Sequence, residues 1–274
     1  MIILYNNLAD TATISVNPTP SLGSAANLQN NRKSSICRTS GLTTYTLIWS
    51  QPQEINAVAL PATNLLSFST IVVDFYADIS STTPFHTISD YAVLTRSPLL
   101  PGNIIQPDYR YFSLGGAAKT IVYSENIDTT TQKTQKLIIT LTNTNFTGGQ
   151  IDCSRIVCGK YWQPIRQASN GITISTQDNS EVSTTRSGDN YINTTYIKES
   201  MNFELRYIDD IDRQRLLEIF RSWGTSSYVY VSVFPDNQNP ELTQTYSIYG
   251  RNSDMNIQYD LYSIYTTNLS LESW

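Results

Sequence analysis

Charged side chains are scarce in this sequence of 274 residues, since Asp, Glu, Lys and Arg together make up only 15% of it. The net charge is −5, and no run of lysine or arginine is present that could displace counterions from phosphates. We therefore expect no nucleic acid partner. No apolar run approaches the roughly 20 residues of a membrane-spanning helix, so we also expect no membrane partner. The N-terminus lacks the pattern of a signal peptide, which favours synthesis in a cytoplasm.

Histidine and cysteine are also rare. The single histidine, His86, rules out a histidine-rich metal site and stands in a polar stretch beside a turn, which favours a loop position. Three cysteines are too few for a disulfide framework. Cys153 and Cys158 could pair, although the apolar run around Cys158 favours a free core thiol. Cys37 precedes Arg38, which could lower a thiol pKa, but no base stands beside it, so we expect a structural role.

Patterns for catalysis or metal binding are weak. Asp209, Asp210 and Asp212 form one acidic cluster, which lacks the alternating ligands and central glycine of a calcium loop. Capping of a following helix explains it better. No serine stands in a Gly-X-Ser-X-Gly elbow. We therefore predict no catalytic residues, no cofactor-binding residues, no metal ligands, no cofactor and no enzyme activity.

The sequence is instead rich in Ser, Thr, Asn and Gln, and it contains 18 tyrosines. β-Branched and aromatic residues between polar ones are typical of strands with one wet face. Short strands at regular intervals favour sandwiches or barrels. The predicted strands are 44–49, 55–60, 71–76, 109–114, 121–123, 137–141, 151–161, 172–174, 182–186, 201–208, 228–234, 246–249, 255–259 and 263–271.

One helix is predicted, over residues 210–223. Asp209 or Asp210 can cap its N-terminus, and Gly224 stands where a left-handed stop is needed. Residues 1–35 are predicted to be loop-like because Pro, Gly, Asn and Ser interrupt any periodicity. The polar stretch 164–171 contains a proline and a glycine, which interrupt regular secondary structure. It therefore predicts a boundary, which divides the chain into domains 1–164 and 165–274.

The aromatic content favours either a sugar-stacking face or protein–protein interfaces. Trp49, Trp162 and Trp223 fall at the ends of predicted elements, which favours core packing. Trp274 could anchor the C-terminus to a neighbouring molecule.

Two segments resemble a known domain class. Residues 26–40, with Asn27-Leu28 before a loop, are followed by Ile48-Trp49 and by the apolar strand 58–65. This order resembles the opening of discoidin-like, galactose-binding-like β-sandwich domains in phage tail proteins. Cys37 stands where those domains usually have Trp. Residues 153–164 resemble their closing Gly-Arg-hydrophobic-Gly-X-X-Trp-X-Pro strand.

The second half is similar to the assembly domain of the same family, with a strand layer, an Asp/Arg-rich helix ending in Trp-Gly, a strand and a Pro-Asp turn. The resemblance implies a minor tail or baseplate protein of the distal-tail type in a long-tailed bacteriophage. It implies a mainly β chain, in which a jelly-roll sandwich precedes a β-rich assembly domain with one helix. It carries over no catalytic residue.

We therefore expect a virion structural protein of the tail tip, made in the host cytoplasm. Its expected partners are copies of itself in a ring and tail tube, tape-measure or hub proteins. A carbohydrate-binding module that contacts host surface glycans is the alternative, and it predicts exposed coplanar aromatic side chains on loops of the first domain. A glycan hydrolase is the third, and it predicts two carboxylates about 5–9 Å apart in a cleft.

Overall fold

The structure, a computed structural model, describes residues 1–65, 69–92, 118–142, 149–168, 171–184, 186–193, 197–224, 226–235, 240–261 and 264–274. The described residues form two compact units that alternate along the chain. Those of the first unit fall within 1–92, 118–164 and 229–247, and those of the second within 165–228 and 248–274. The chain is mainly β, as predicted.

The elements are numbered here in chain order. The helices are α1 (Asp210–Trp223) and α2 (Pro240–Thr245). The strands are β1 (Ile2–Leu4), β2 (Thr13–Asn17), β3 (Cys37–Ser40), β4 (Thr43–Gln53), β5 (Ala57–Thr63), β6 (Thr70–Tyr76), β7 (His86–Ala92), β8 (Ala118–Tyr123), β9 (Thr134–Thr142), β10 (Gln150–Cys153), β11 (Val157–Gly159), β12 (Tyr161–Trp162), β13 (Thr173–Asp178), β14 (Glu181–Thr184), β15 (Asn190–Asn193), β16 (Ile197–Ile208), β17 (Tyr228–Ser232), β18 (Ser247–Met255), β19 (Gln258–Leu261) and β20 (Ile264–Ser273).

The first unit contains a sandwich of two five-stranded antiparallel sheets. One has the order β2–β4–β9–β6–β7, and the other has the order β11–β5–β10–β3, with β8 also paired to β5. Alternate residues of β4, β6 and β9 are buried, as the period-2 pattern predicted. Both sheets contribute to one apolar core, whose largest members include Tyr45, Trp49, Phe75, Leu137 and Ile151.

The first 35 residues are not loop-like throughout, which corrects the prediction. β1 pairs with β12 along one edge and with β17 along the other, and its residues Ile2–Leu4 are all buried. β2 pairs with β4 at the edge of the sandwich. The prediction was wrong because both strands are short and their partners lie far along the chain.

The second unit is built on the antiparallel order β18–β20–β16–β13, and β19 also pairs with β20. β14 and β15 form a separate two-stranded hairpin. Helix α1 has the predicted bounds: the Asp209 side chain accepts a hydrogen bond from Asp212 N, and Gly224 has a positive φ of 60°. Local capping groups explain this success.

Other predictions had mixed outcomes. The strand predicted over 151–161 is three strands, β10, β11 and β12. Helix α2 and strands β3, β7 and β15 were not predicted. The strand predicted over 109–114 lies outside the described residues. Within the part of the chain that the structure describes, no helix is both long and apolar enough to cross a membrane.

Division into domains at residue 164 stays a prediction, because a domain is defined by independent folding. Fragment 1–164 lacks β17, so β1 would keep only β12 as a partner. Exposure of a buried Ile or Leu side chain costs roughly 1.5–3 kcal/mol. We expect fragment 1–164 to aggregate, or to unfold at a lower urea concentration than the whole chain, as followed by circular dichroism and light scattering.

Fragment 6–164, which lacks β1 altogether, is the matched control and should be the more soluble of the two. If fragment 1–164 were monomeric and as stable as the whole chain, β17 would not be needed to cover β1.

Candidate functional site

The three cysteine thiols are buried and free, and none is suited to act as a nucleophile. Cys158 is a free core thiol, as the sequence favoured, and the alternative pairing of Cys153 with Cys158 does not form. β3 and β10 place Cys37 directly opposite Cys153. Burial raises the pKa of the Cys37 thiol to about 11 and that of Cys153 to about 12, and it also raises the pKa of Cys158. At neutral pH all three thiols are therefore protonated.

Arg38 does not activate Cys37. Its guanidinium donates two hydrogen bonds to the Asp152 carboxylate, from Nε and from Nη2, each of 2.7 Å. In this bidentate ion pair the Asp152 carboxylate balances the positive charge of the Arg38 guanidinium. The Asp152 charge also contributes to the raised pKa of the Cys37 thiol.

The acidic cluster caps helix α1, as predicted. Asp209 Oδ1 accepts a hydrogen bond from Asp212 N at 2.8 Å, and Asp212 Oδ2 accepts one from Ile165 N at 2.9 Å. The Asp210 carboxylate lies 3.4 Å from the Arg213 guanidinium. Among the described residues, no three His, Cys, Asp or Glu side chains come together as ligands for a metal ion.

His86 is the first residue of β7 and not a loop residue. It lies opposite Phe75 in β6, with ring centroids 6.0 Å apart. The ring contact places this half-buried imidazole beside the sandwich core, a position that the polar residues around it concealed.

The tryptophans serve packing where their side chains are described. Trp49 is 1% exposed, and its Nε1–H donates to Leu8 O at 2.8 Å, while Trp162 is also buried. Trp274 packs edge-on against Tyr249 of its own chain, with ring centroids 5.1 Å apart. The side chain of Trp223 lies outside the described residues.

The two motif segments that carry the resemblance meet in space, although more than 100 residues separate them. Ile156 N donates to Leu28 O at 3.1 Å, and Ser154 Oγ donates to Lys33 O at 3.1 Å. Between these contacts Arg155 is 1% exposed, and its Nη2 donates to Asp10 Oδ2 at 2.7 Å. The predicted strand over 151–161 is interrupted here, at residues 154–156, which separate β10 from β11.

Exposed apolar side chains are concentrated on the second unit. Seven of the eleven large exposed hydrophobic side chains that the structure describes belong to it: Ile165, Val182, Tyr191, Ile192, Tyr207, Ile211 and Tyr259. Exposed apolar side chains that lie close together on a surface mark interaction sites in soluble proteins.

Three of these side chains lie on the hairpin formed by β14 and β15, which we call the hairpin arm. All eight of its strand residues are exposed, with Val182 at 64%, Tyr191 at 65% and Ile192 at 57%. An isolated two-stranded hairpin is at best marginally stable in water, because it has no second layer or third strand to cover it. Only β14 was predicted from the sequence, and the period-2 pattern gave no sign that both faces are exposed.

Tyr207 is held outward by an irregular backbone. β16 advances three positions from Leu205 to Ile208, while β20 advances two from Thr267 to Tyr265, so β16 carries a bulge. Tyr207 in this bulge has φ of 60°, which is rare for an aromatic residue. Its ring is 57% exposed and lies beneath the Arg166 guanidinium, whose carbon is 5.6 Å from the ring centroid.

A second arginine–tyrosine pair lies beside helix α1. The Arg213 guanidinium carbon is 4.8 Å from the centroid of the Tyr265 ring, which contacts Tyr259 at 5.3 Å. Partial desolvation raises the pKa of the Tyr265 hydroxyl, and the Asp210 carboxylate raises it further, so the hydroxyl is neutral. Tyrosine and arginine are the residue types that dominate binding energy at protein interfaces.

The first unit presents a different surface at one end of the sandwich. The Glu54 carboxylate lies 3.1 Å from Lys160 Nζ and 3.9 Å from Lys133 Nζ, and all three side chains are partly exposed. The rings of Tyr123 and Tyr161 meet edge to face, with centroids 5.4 Å apart. We call these five residues the loop cluster. It contains charged hydrogen-bonding groups and a pair of aromatic rings, and Lys160 and Tyr161 are consecutive in the sequence.

No family model and no curated protein matches this chain. Solved structures match it over a little more than half its length. A fucosidase from Ruminococcus gnavus in complex with fucose is 12% identical, with a TM-score of 0.39, and the match covers 57% of this chain and 26% of that one.

Two isolated binding modules give similar values. The family 32 carbohydrate-binding module of Clostridium perfringens NanJ, in complex with galactose, is 8% identical over 59% of this chain and 100% of its own, with a TM-score of 0.38. A chitosan-binding module from Paenibacillus sp. IK-5 is 11% identical over 57% and 99%, with a TM-score of 0.39. The sugars in their names are ligands of those proteins.

The Tyr207 bulge yields a prediction about stability. At a positive φ a non-glycine residue costs about 1–2 kcal/mol, whereas glycine in a regular strand costs about 0.5–1 kcal/mol. Tyr207→Gly should therefore leave the free energy of unfolding nearly unchanged, while Tyr259→Gly, which removes a similarly exposed ring from β19, should lower it. We expect the two variants to differ by about 1 kcal/mol or more in urea unfolding. Equal losses would mean that the bulge stores no backbone strain.

Proposed function

We propose that this chain is a non-catalytic structural component of a bacteriophage tail tip or baseplate, which forms a symmetric ring or hub by protein–protein contacts. The hairpin arm carries this proposal. Its apolar side chains Val182, Tyr191 and Ile192 are each more than half exposed. A partner surface that covers them would remove this apolar area from water and stabilise the hairpin.

The chemistry of the described residues supports a binding role. The thiols are protonated at neutral pH, and the acidic cluster at 209–212 is engaged in capping and ion pairs. Two tyrosine rings of the second unit, by contrast, lie beside arginines, and tyrosine and arginine are residue types enriched at the binding hot spots of protein interfaces.

The assignment to a phage tail has a separate support, which is the resemblance of residues 26–40 and 153–164 to phage tail domains. The contacts between these segments are consistent with one structural unit, since Leu28 O accepts from Ile156 N and Cys37 lies opposite Cys153. Within this proposal the protein is made in the host cytoplasm and is incorporated into the virion at the tail tip. Its partners are further copies of itself and tail tube, tape-measure or hub proteins.

Assembly through the hairpin arm can be tested by a single substitution that introduces a charged side chain. Ile192→Lys places an ammonium group on the apolar side of the arm, and we expect association between copies to weaken at least tenfold in light scattering and electron microscopy. Leu42→Lys is the matched control, because Leu42 is 61% exposed but belongs to the first unit, and it should assemble like the unmodified chain. Circular dichroism should show that both variants are folded. Normal assembly of Ile192→Lys would remove the observation on which the proposal rests.

Glycan binding is the second candidate, and the loop cluster favours it. Sugar sites combine aromatic rings with hydrogen-bonding side chains. The loop cluster contains both types, with the ring pair Tyr123 and Tyr161 and the ion pairs of Glu54 with Lys133 and Lys160. The rings are partly buried and meet edge to face, so they do not form the exposed coplanar platform that the sequence-based alternative predicted.

For this candidate we expect the whole chain to bind in a glycan array, and Tyr161→Ala to reduce the signal at least tenfold. Tyr191→Ala, which removes an exposed ring from the arm, should bind like the unmodified chain. Absence of any glycan signal, together with normal assembly, would exclude the second candidate and leave the first.

A further inference from the structure

The two strands of the hairpin arm have open outer edges. β14 and β15 pair only with each other among the described residues. Proteins usually protect such edges with lysine, proline or a bulge. The eight strand residues include neither lysine nor proline, their register is regular throughout, and Glu181 is the only charged residue among them. Each edge is therefore able to accept another strand.

The register divides the arm into two unlike faces. Val182 lies opposite Ile192, and Thr184 lies opposite Asn190, so these four side chains share one face. This face has no charge. The other face carries Glu181, Ser183, Tyr191 and Asn193.

We propose that the arms of neighbouring copies pair edge to edge, β15 of one copy along β14 of the next, in the register that the two strands have within one chain. The uncharged faces with Val182 and Ile192 then lie on the same side of the shared sheet. This inference rests on the proposed ring and names a contact between its copies.

A second copy fits the open edges better than an unrelated strand does. The β14 edge of a neighbour offers β15 the same four residues with which β15 already pairs in its own chain, so Ile192 again meets Val182 and Asn193 again meets Glu181. No like charges face each other. The directions also agree, because rotation about an axis parallel to the strands preserves the up–down alternation of an antiparallel sheet.

The test uses cysteines placed across the proposed contact in the full-length chain. Thr184 and Asn190 lie opposite each other, with Thr184 Oγ1 and Asn190 Oδ1 3.2 Å apart. Opposed residues of an antiparallel pair have Cα atoms about 4.5–5.5 Å apart, within the range of a disulfide. Thr184→Cys and Asn190→Cys chains are mixed and oxidised with glutathione disulfide. Each bond formed removes two thiol protons and two electrons, which reduce one glutathione disulfide to two glutathiones.

We expect cross-linked dimers at least tenfold more abundant in the mixture than with either variant alone. The native cysteines are buried, so they should not contribute. A mixture of Ser175→Cys and Ser200→Cys chains is the matched control. These residues are opposed within one chain, but the other edge of β16 is already paired with β20, so no cross-link between copies should form.

The outcomes separate this inference from the proposed function. Assembly without the cross-link would show that the ring closes elsewhere, which overturns the inference and leaves the proposed function intact. Equal cross-linking of Thr184→Cys alone would indicate β14 paired with β14 across a two-fold axis, which also overturns it. A chain that remains monomeric and uncross-linked at all concentrations would contradict both.

Discussion

A β-strand satisfies its backbone only when hydrogen-bonding partners lie along its edges, and this requirement organises the whole chain. In the first unit, three-residue β1 is buried because β12 and β17, more than 150 residues away in sequence, supply both of its edges. β4 and β6 likewise flank β9 on its two sides. The hairpin arm is the contrasting case: its strands have one partner each among the described residues, and its side chains are exposed. The hairpin arm, where strand pairing ends, is therefore the candidate interaction site.

Existing interactions also explain why residue types that can be reactive do not form a reactive site. Arg155 is buried inside the sandwich, and its charge is balanced by Asp10, which is itself partly exposed. Arg38 is held by Asp152, and Asp209 is held by the amide of Asp212. Each of these charged groups already has an interaction that fixes a turn, a sheet or a helix end. Recruiting one of them for chemistry would leave its present partner without that interaction.

Sequence patterns predicted what is encoded locally. Helix α1 was predicted with its exact bounds because its cap, its apolar repeat and Gly224 all lie within 16 residues, and the buried faces of β6 and β9 follow from simple alternation. What depends on distant pairing was missed: β1 has too few residues to show a pattern. The interruption at 154–156 was missed because Ile156 pairs there with Leu28, more than 100 residues away.

The candidate site was predictable only as an excess of tyrosine. The residues around Tyr207 do not predict a bulge, because a positive φ is normally indicated by a glycine and this position holds a tyrosine. Alternation in β14 and β15 looks like that of any half-buried strand, and only the structure shows that neither face is covered. Exposure is a property of the surroundings, so a period-2 pattern cannot report it.

A β-sandwich does not by itself decide between the two candidate functions, because one fold serves many kinds of site. The two surfaces differ in whether their side chains already have interaction partners within the chain. In the loop cluster, Glu54 is occupied by two lysines and Tyr161 by Tyr123, so a sugar would have to displace contacts that exist. A strand added to the arm displaces only water from Val182, Ile192 and the open backbone edges. Binding that removes apolar surface from water without breaking an internal contact is the more favourable of the two, and it is this difference that favours assembly.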